Sequence, residues 1–176
     1  MRFPILVILG LAVRLAAGGD GTTAADRPAQ LRRAGAAEAE IAAVTGLLHR
    51  VAGDGLPIAF LETKLDEGLA KGVASGALQK ALEARVARIR QARDMAGRAG
   101  YTQPPVGRSG GLWEALALAL ESGVPEADLT AVLASGGGRR MQRVCTAVNG
   151  GESLALAGIP LPLIREAMLG FLDRDI

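Results

Sequence analysis

Side chains that could perform catalysis are scarce in this sequence. His49 is the single histidine and Cys145 the single cysteine among 176 residues. One imidazole cannot build a multi-histidine metal site, and no serine that could join His49 in a triad lies in a Gly-x-Ser-x-Gly turn. Cys145 has apolar neighbours at helical spacing, which favours a small buried hydrophobe and leaves an intermolecular disulfide as the alternative. We therefore predict no catalytic residue and no metal or cofactor site.

A glycine-rich turn followed by two arginines is the best candidate for ligand binding. The candidate anion-binding residues are Gly137, Gly138, Arg139 and Arg140. Free N–H groups at the start of a helix can bind an anion, and two guanidinium groups could clamp it. The segment lacks the Gly-x-x-x-x-Gly-Lys spacing of a phosphate-binding loop, and no predicted strand precedes it. A flexible turn between helices is therefore the favoured interpretation.

Asp66 and Glu67 form the clearest pair of carboxylates. Adjacent residues of a helix point about 100° apart, so these two carboxylates cannot converge on one glycosidic bond. We expect them on a solvated helix face, where Glu67 can pair with Lys71 one turn further along.

The most basic segment lies between residues 80 and 98. Its arginines spread around the predicted helix instead of forming one band, and no aromatic side chain accompanies them. The formal charge of the whole chain is only +2, and the two signs balance once Arg2 and Arg14 are set aside. The sequence therefore gives no strong case for a nucleic-acid partner.

The composition limits the elements that can position these residues. Hydrophobic residues make up 49% of the chain and aromatic residues only 3%, so Ala, Leu and Val must supply most of the core. Such a chain is too apolar for disorder and too poor in β-branched and aromatic residues for an all-β domain. We predict an all-α fold, built as an array of short stacked helices without a sheet.

Residues 1–18 are predicted to form a signal peptide. Arg2 precedes an apolar run over residues 3–13, which is too short to span a membrane. Ala16 and Gly18 supply the small side chains that a signal peptidase requires. The cleaved chain would be periplasmic or secreted, with no transmembrane segment left.

Cleavage after Ala25 is the alternative to cleavage after Gly18. Arg14 interrupts the apolar run and leaves an N-terminal helix open as a second interpretation. Residues 19–35 are rich in Gly, Ala, Thr and Arg, and we expect a disordered mature N-terminus there.

A short unit recurs along the rest of the chain. It consists of a glycine, an apolar residue and a proline or alanine, and apolar residues follow six and ten positions after each glycine. Glycine just past a helix end can close that helix with a positive φ, and proline favours the first position of the next helix. The unit therefore predicts a helix stop, a helix start and a buried stripe, as in helical-repeat proteins. The glycines are Gly55, Gly72, Gly123 and Gly158.

Residues 36–176 are predicted to form a single helical-repeat domain, interrupted by a Gly- and Pro-rich loop at 97–111. Further turns are predicted at 136–138 and 150–151. The predicted helices cover residues 36–52, 57–70, 75–97, 111–121, 125–135, 139–148, 152–157 and 160–173.

The segment Glu67–Val73 resembles the EGLAKGVP-type segment of uncharacterised secreted bacterial helical proteins. Lys64 before it and Leu78 after it extend the similarity, which covers residues 55–96, whereas Ala74 stands where that group usually has proline. The resemblance implies a helical fold and export, and it implies no activity.

These features favour an exported, non-enzymatic binding or scaffold protein of the bacterial envelope, with another envelope protein as its partner. They do not determine the oligomeric state. Two alternatives remain: an enzyme or enzyme accessory with a site of scattered Glu and Arg side chains, and a structural envelope protein without a defined ligand. Converging buried carboxylates or arginines in a pocket would favour the enzyme. A smooth groove lined by Ala and Leu would favour binding.

Overall fold

Helices form the regular structure of this protein. The structure is a computed structural model that describes residues 26–101, 111–137 and 141–173. Of these residues 81% are helical, in eight helices and without a strand, which confirms the all-α prediction. The helices are α1 (Arg27–Arg33), α2 (Glu38–Gly53), α3 (Ile58–Ala70), α4 (Ser75–Arg98), α5 (Leu112–Glu121), α6 (Glu126–Ser135), α7 (Met141–Leu156) and α8 (Leu161–Asp173).

The helix stops predicted at the four unit glycines are confirmed. Each of these glycines has a positive φ, between 64° and 94°, in the left-handed region that favours glycine. At the first of them, the N–H of Leu56 donates to the carbonyl of Val51 over 3.1 Å, which is the closing bond of a Schellman motif. Gly35 and Gly100 end α1 and α4 with the same geometry.

The prolines of the unit lie one position earlier than predicted. Pro57 and Pro125 are the N-cap residues of α3 and α6, in extended conformation, and the helices begin at Ile58 and Glu126. A proline at the N-cap still sets the direction in which the next helix leaves the turn, because its φ is fixed.

The apolar positions of the unit form the core. The residues six and ten positions after each glycine are almost completely buried in all four copies. They belong to one hydrophobic core that extends from Leu31 to Leu172. The buried positions are Leu61, Leu65, Leu78, Leu82, Leu129, Leu133, Ile164 and Met168.

The predicted disorder of residues 19–35 is wrong for the part that the structure describes. Arg27–Arg33 form α1, with a proline in its first turn and Leu31 buried in the core. Arg27 is also buried, and its guanidinium binds both carboxylate oxygens of Asp66 on α3. This ion pair bridges 39 positions of sequence, so no local pattern reveals that α1 is anchored. Residues 19–25 lie outside the described residues.

The predicted turn at 150–151 is also wrong. One helix, α7, runs through both glycines and replaces the two predicted helices at 139–148 and 152–157. Gly151 is buried against α8, where a Cβ atom on it would lie 2.9 Å from Cγ of Met168. The glycine therefore permits close packing of α7 on α8 instead of ending a helix.

Helices α4, α5, α7 and α8 pack in that order, each against the next. The long helix α4 also contacts α2 and α3, so it joins the N-terminal helices to the C-terminal ones. Helix α4 continues to Arg98, so the predicted loop at 97–111 begins two residues later than expected. Residues 102–110 lie outside the described part of the chain. None of the described helices is both long and apolar enough to cross a membrane.

Candidate functional site

The structure describes only the first residue of the predicted anion-binding turn. Gly137 is exposed just after α6, whereas Gly138, Arg139 and Arg140 lie outside the described residues. The neighbouring Gly136 has a packing role, because a Cβ there would lie 2.6 Å from Val144 and 2.7 Å from the hydroxyl of Tyr101. The anion site at this turn therefore stays a prediction.

His49 and Cys145 lie in very different environments. His49 is exposed on α2, whereas Cys145 is buried in α7, and burial raises the pKa of its thiol. The predicted role of Cys145 as a small buried hydrophobe agrees with this placement, because a protonated buried thiol is a poor nucleophile. No group of three or more His, Cys, Asp or Glu side chains within the described ranges could hold a metal ion.

Asp66 and Glu67 diverge as predicted. Asp66 binds Arg27 of α1. Glu67 accepts hydrogen bonds from Lys71 at 2.5 Å and from Lys64 at 3.0 Å, and these ammonium groups lower the pKa of the Glu67 carboxyl to about 2. The two carboxylates serve separate ion pairs, so they form no acid–base pair.

Several arginines of the basic helix α4 are paired within the chain. Arg90 binds Asp54, the C-cap residue of α2, over 2.6 Å, and Arg98 binds Glu126 of α6 over 3.0 Å. These pairs neutralise much of the positive charge of the helix.

One of these arginines, Arg85, is the centre of a buried polar cluster. Its Nε and Nη2 donate to the two carboxylate oxygens of Glu121 on α5, over 3.0 and 2.6 Å. Its Nη1 donates to the carbonyl of Phe60 on α3 over 3.3 Å, and the guanidinium carbon lies 4.4 Å from the centroid of the Phe60 ring. Arg85 therefore ties α3 and α5 to α4.

Glu152 of α7 brings a second carboxylate towards this cluster. Burial raises the pKa of Glu152, the charge of Glu121 raises it further, and Arg85 lowers it. A cavity of about 150 Å³ opens beside the cluster. It is lined by Ala59, Phe60, Thr63, Arg85, Glu114 and Leu118. The arrangement holds helices together, because the hydrogen bonds of Arg85 join α4 to Glu121 of α5 and to the carbonyl of Phe60 of α3.

A second candidate is an apolar surface where α7 turns into α8. Leu156 is 72% exposed and Leu163 is 54% exposed, and Ile159 and Leu161 are exposed between them. Next to this turn, a groove of about 280 Å³ runs between the two helices. The groove is lined by Thr146, Ala147, Gly150, Gly151, Leu154, Ala167, Met168 and Phe171. We call residues 156–163 and this groove together the α7–α8 face.

The α7–α8 face is uncharged. No Asp, Glu, Lys, Arg or His occurs in residues 153–164 or among the residues that line the groove. Of the five large hydrophobic side chains exposed in the described part of the chain, four lie in this turn, and the fifth is Val73. Clustered exposed apolar side chains without charge are typical of the centre of a protein–protein interface.

The sequence contained a signal for this surface that the helix pattern obscured. Leu156, Leu161 and Leu163 fall outside the buried six-and-ten register of the Gly158 unit, so the core does not require them. The uncharged run 153–164 is twelve residues long and lies between Glu152 and Arg165. Apolar residues left over after the core is assigned mark the candidate binding surface.

No protein-family model matches the chain, and comparisons with the curated proteins and with the solved structures give no match either.

Proposed function

We propose that this chain is an exported, non-enzymatic binding or scaffold protein of the bacterial envelope, which binds a protein partner on the α7–α8 face. The observation that carries the proposal is the exposed, uncharged cluster of apolar side chains beside a groove of small and apolar residues. Burying such a surface is favourable by about 25 cal/mol per Å² of apolar area, without the desolvation of any charge.

The enzyme alternative rests on Arg85, Glu121 and Glu152. These three charged groups interact, and Arg85 also lines the cavity, which is the kind of arrangement that a site of Glu and Arg side chains would need. Arg85, however, holds Glu121 and the carbonyl of Phe60, which supports a role in holding α3, α4 and α5 together. Binding on the α7–α8 face is therefore the proposed function, and the cluster is assigned to the fold.

Capture of partners with the tagged mature chain tests the proposal. Leu163→Glu should abolish capture from an envelope extract, because it places a charge in the proposed interface. Val73→Glu is the matched control, since Val73 is an exposed hydrophobic residue away from the face, at 38% exposure. Glu152→Gln should leave capture unchanged. Repeated absence of a stoichiometric partner would favour a structural envelope protein instead.

The export half of the proposal has its own test. The intact mass of the protein recovered from the envelope should correspond to a chain that begins at Gly19 or, after the alternative cleavage, at Asp26. A recovered chain that keeps Met1 would overturn export by a cleaved signal. The binding proposal would then still be tested by the capture experiment alone.

A further inference from the structure

We propose that α1 is a removable helical strap, and that the site beneath it binds a helix of a partner protein with an arginine followed four residues later by a leucine. In this structure the strap itself fills the site, through Arg27 and Leu31. The site is separate from the α7–α8 face, so either binding proposal can fail without the other.

An acidic pair on α3 receives the arginine. Glu62 and Asp66 are four residues apart, so their side chains are neighbours on one side of the helix. The guanidinium of Arg27 donates to both carboxylate oxygens of Asp66, and its Nη2 lies 3.8 Å from a carboxylate oxygen of Glu62. The Arg27 side chain is only 5% exposed. Without a cation in this position the two like charges would repel each other, so the pair selects a basic residue.

An apolar seat receives the leucine. Leu31 follows Arg27 by four residues, so the two side chains share one face of α1. Leu31 is 1% exposed and belongs to the hydrophobic core, whereas the remaining residues of α1 apart from Arg27 are not buried. The rest of the chain therefore holds α1 by an arginine and a leucine at helical spacing, as a groove holds an amphipathic helix.

The attachment of α1 is limited enough for the helix to leave the site. A helix of seven residues is too short to be stable by itself, and Gly35, which joins it to α2, has open space around it. Nε of Arg27 is buried and has no hydrogen-bond partner in the part of the chain that the structure describes, so docking leaves a desolvated N–H unpaired. A cavity of about 380 Å³ also lies between α1 and α3, lined by Gln30, Arg33, Ala34, Asp66 and Leu69.

Hydrogen exchange of the full mature chain, followed by NMR, tests whether the strap opens by itself. The hydrogen-bonded amides of residues 34–36 should exchange at least about tenfold faster than those in the middle of α4, because α1 opens while the core stays folded. Arg27→Glu places a carboxylate opposite the acidic pair and should speed this exchange at least about tenfold further, with α4 unchanged. Arg33→Glu is the matched control, since Arg33 is exposed on the same helix and donates to the carbonyl of Ala29 within it. Equal exchange of α1 and α4 in the wild type, or loss of α4 protection in Arg27→Glu, would make α1 an integral part of the core and overturn its removal.

Exchanging the two charges tests the acidic pair. Asp66→Arg should release the strap as Arg27→Glu does, because it places a cation opposite Arg27. The double variant with both substitutions restores opposite charges across the contact, so the exchange of residues 34–36 should return towards the wild-type rate. A double variant that exchanges as fast as the single variants would overturn the acidic pair as the site of recognition.

A peptide added to the opened chain tests the binding site. The probe is a synthetic peptide of residues 26–37, acetylated and amidated at its ends, titrated into the full Arg27→Glu chain and followed by NMR. It should shift the signals of Glu62 and Asp66 with a Kd below about 1 mM, and it should bind the wild-type chain at least about tenfold more weakly, because the wild-type strap competes from within the same chain. The same peptide with Leu31→Ala should not bind at this concentration. Absence of shifts from the unaltered peptide at about 1 mM, in a chain whose strap is open, would overturn the site as a receptor for a partner helix.

Discussion

Replacing Arg85 by methionine should destabilise the protein far more than replacing any exposed arginine of the same helix. Methionine keeps an apolar side chain against the Phe60 ring but removes the guanidinium that binds Glu121. Glu121 would then be left partly buried without a cation, and the carbonyl of Phe60 would lose its donor. An unsatisfied buried group bears its full desolvation cost.

The magnitude follows from how deeply the pair is buried. The Arg85 side chain is 10% exposed and the Glu121 side chain 29% exposed, so the pair lies between a surface pair and a fully buried one. Surface pairs contribute about 0–1 kcal/mol, and breaking a fully buried pair costs about 3–5 kcal/mol. We therefore expect a loss of roughly 2–3 kcal/mol in the free energy of unfolding, or about 5–10 °C in Tm for a domain of this size.

Urea and thermal unfolding of matched variants measure this loss. Arg90→Met is the control, because Arg90 lies on the same helix and its pair with Asp54 is 47% and 42% exposed on the two sides. It should change stability by no more than about 0.5–1 kcal/mol. The double variant Arg85→Met with Glu121→Leu should recover part of the loss, since it removes the orphaned carboxylate as well.

A second measurement follows the carboxylate of Glu152. Arg85 lowers the pKa of this group, so Arg85→Met should raise it further above its ordinary value, as an NMR titration would show. If Arg85→Met cost no more stability than Arg90→Met, Arg85 would not hold α3, α4 and α5 together. The cluster would then become available for the enzyme alternative.

Three further predictions concern single residues. Glu152→Gln should stabilise the fold at neutral pH in denaturant melts, because burial and Glu121 raise the folded pKa of the native carboxyl and so disfavour its ionised form. That gain should vanish as the pH falls below about 4.3, the unfolded value, and a constant gain would contradict it. Gly123→Ala should lower the free energy of unfolding by about 1–2 kcal/mol, because the φ of Gly123 is +94°. Gly97→Ala is the control: Gly97 lies inside α4 with open space around it, so alanine there should raise the free energy of unfolding by up to about 1 kcal/mol. Equal changes of Tm in the two variants would refute the helix stop at Gly123. Glu67 should titrate by NMR with a pKa of about 2. The small stabilisation by its ion pairs with Lys64 and Lys71 should be present above the pKa of the unfolded state and disappear as the pH falls towards 2. Lys71→Met should raise the pKa of Glu67.

The helix stops could be predicted because their cause is local. A glycine with a positive φ followed by an apolar residue closes a helix through backbone bonds within six residues, as at Gly55 and Gly158. The buried residues six and ten positions later follow from helix periodicity alone. These features depend on the order of residues and not on which helices meet.

The elements that sequence reasoning missed depend on distant partners. Helix α1 is short, and it is held by the burial of Leu31 in the core and by the ion pair between Arg27 and Asp66. Both contacts form only when α1 packs against the rest of the folded chain. Gly151 resembles a helix stop in the sequence, but Met168 packs where its side chain would be. A glycine can end a helix or admit a neighbouring helix, and only the tertiary contact distinguishes the two roles.

The same distinction separates the arginines of α4. Arg85 lies three residues after Leu82 and four before Ile89, on the apolar stripe of α4, whereas Arg88 and Arg90 lie beside that stripe. The groups that accept its hydrogen bonds, in Phe60 and Glu121, lie 25 and 36 positions away, and no local pattern identifies them. A candidate site built from such long-range pairs could not be predicted from one sequence.

The turn at Gly158 shows how an exposed apolar surface can be separated from the core. The residue after the glycine is buried in the units at Gly55 and Gly123, as Leu56 and Val124, whereas Ile159 is exposed although its turn has the same backbone geometry. Val73 is exposed in the equivalent position but stands alone, whereas other exposed apolar side chains surround Ile159. Local structure is equal in these turns, so the difference lies in what covers them. A protein partner on the α7–α8 face, as proposed, would give Ile159 the burial that Leu56 and Val124 receive from their own chain.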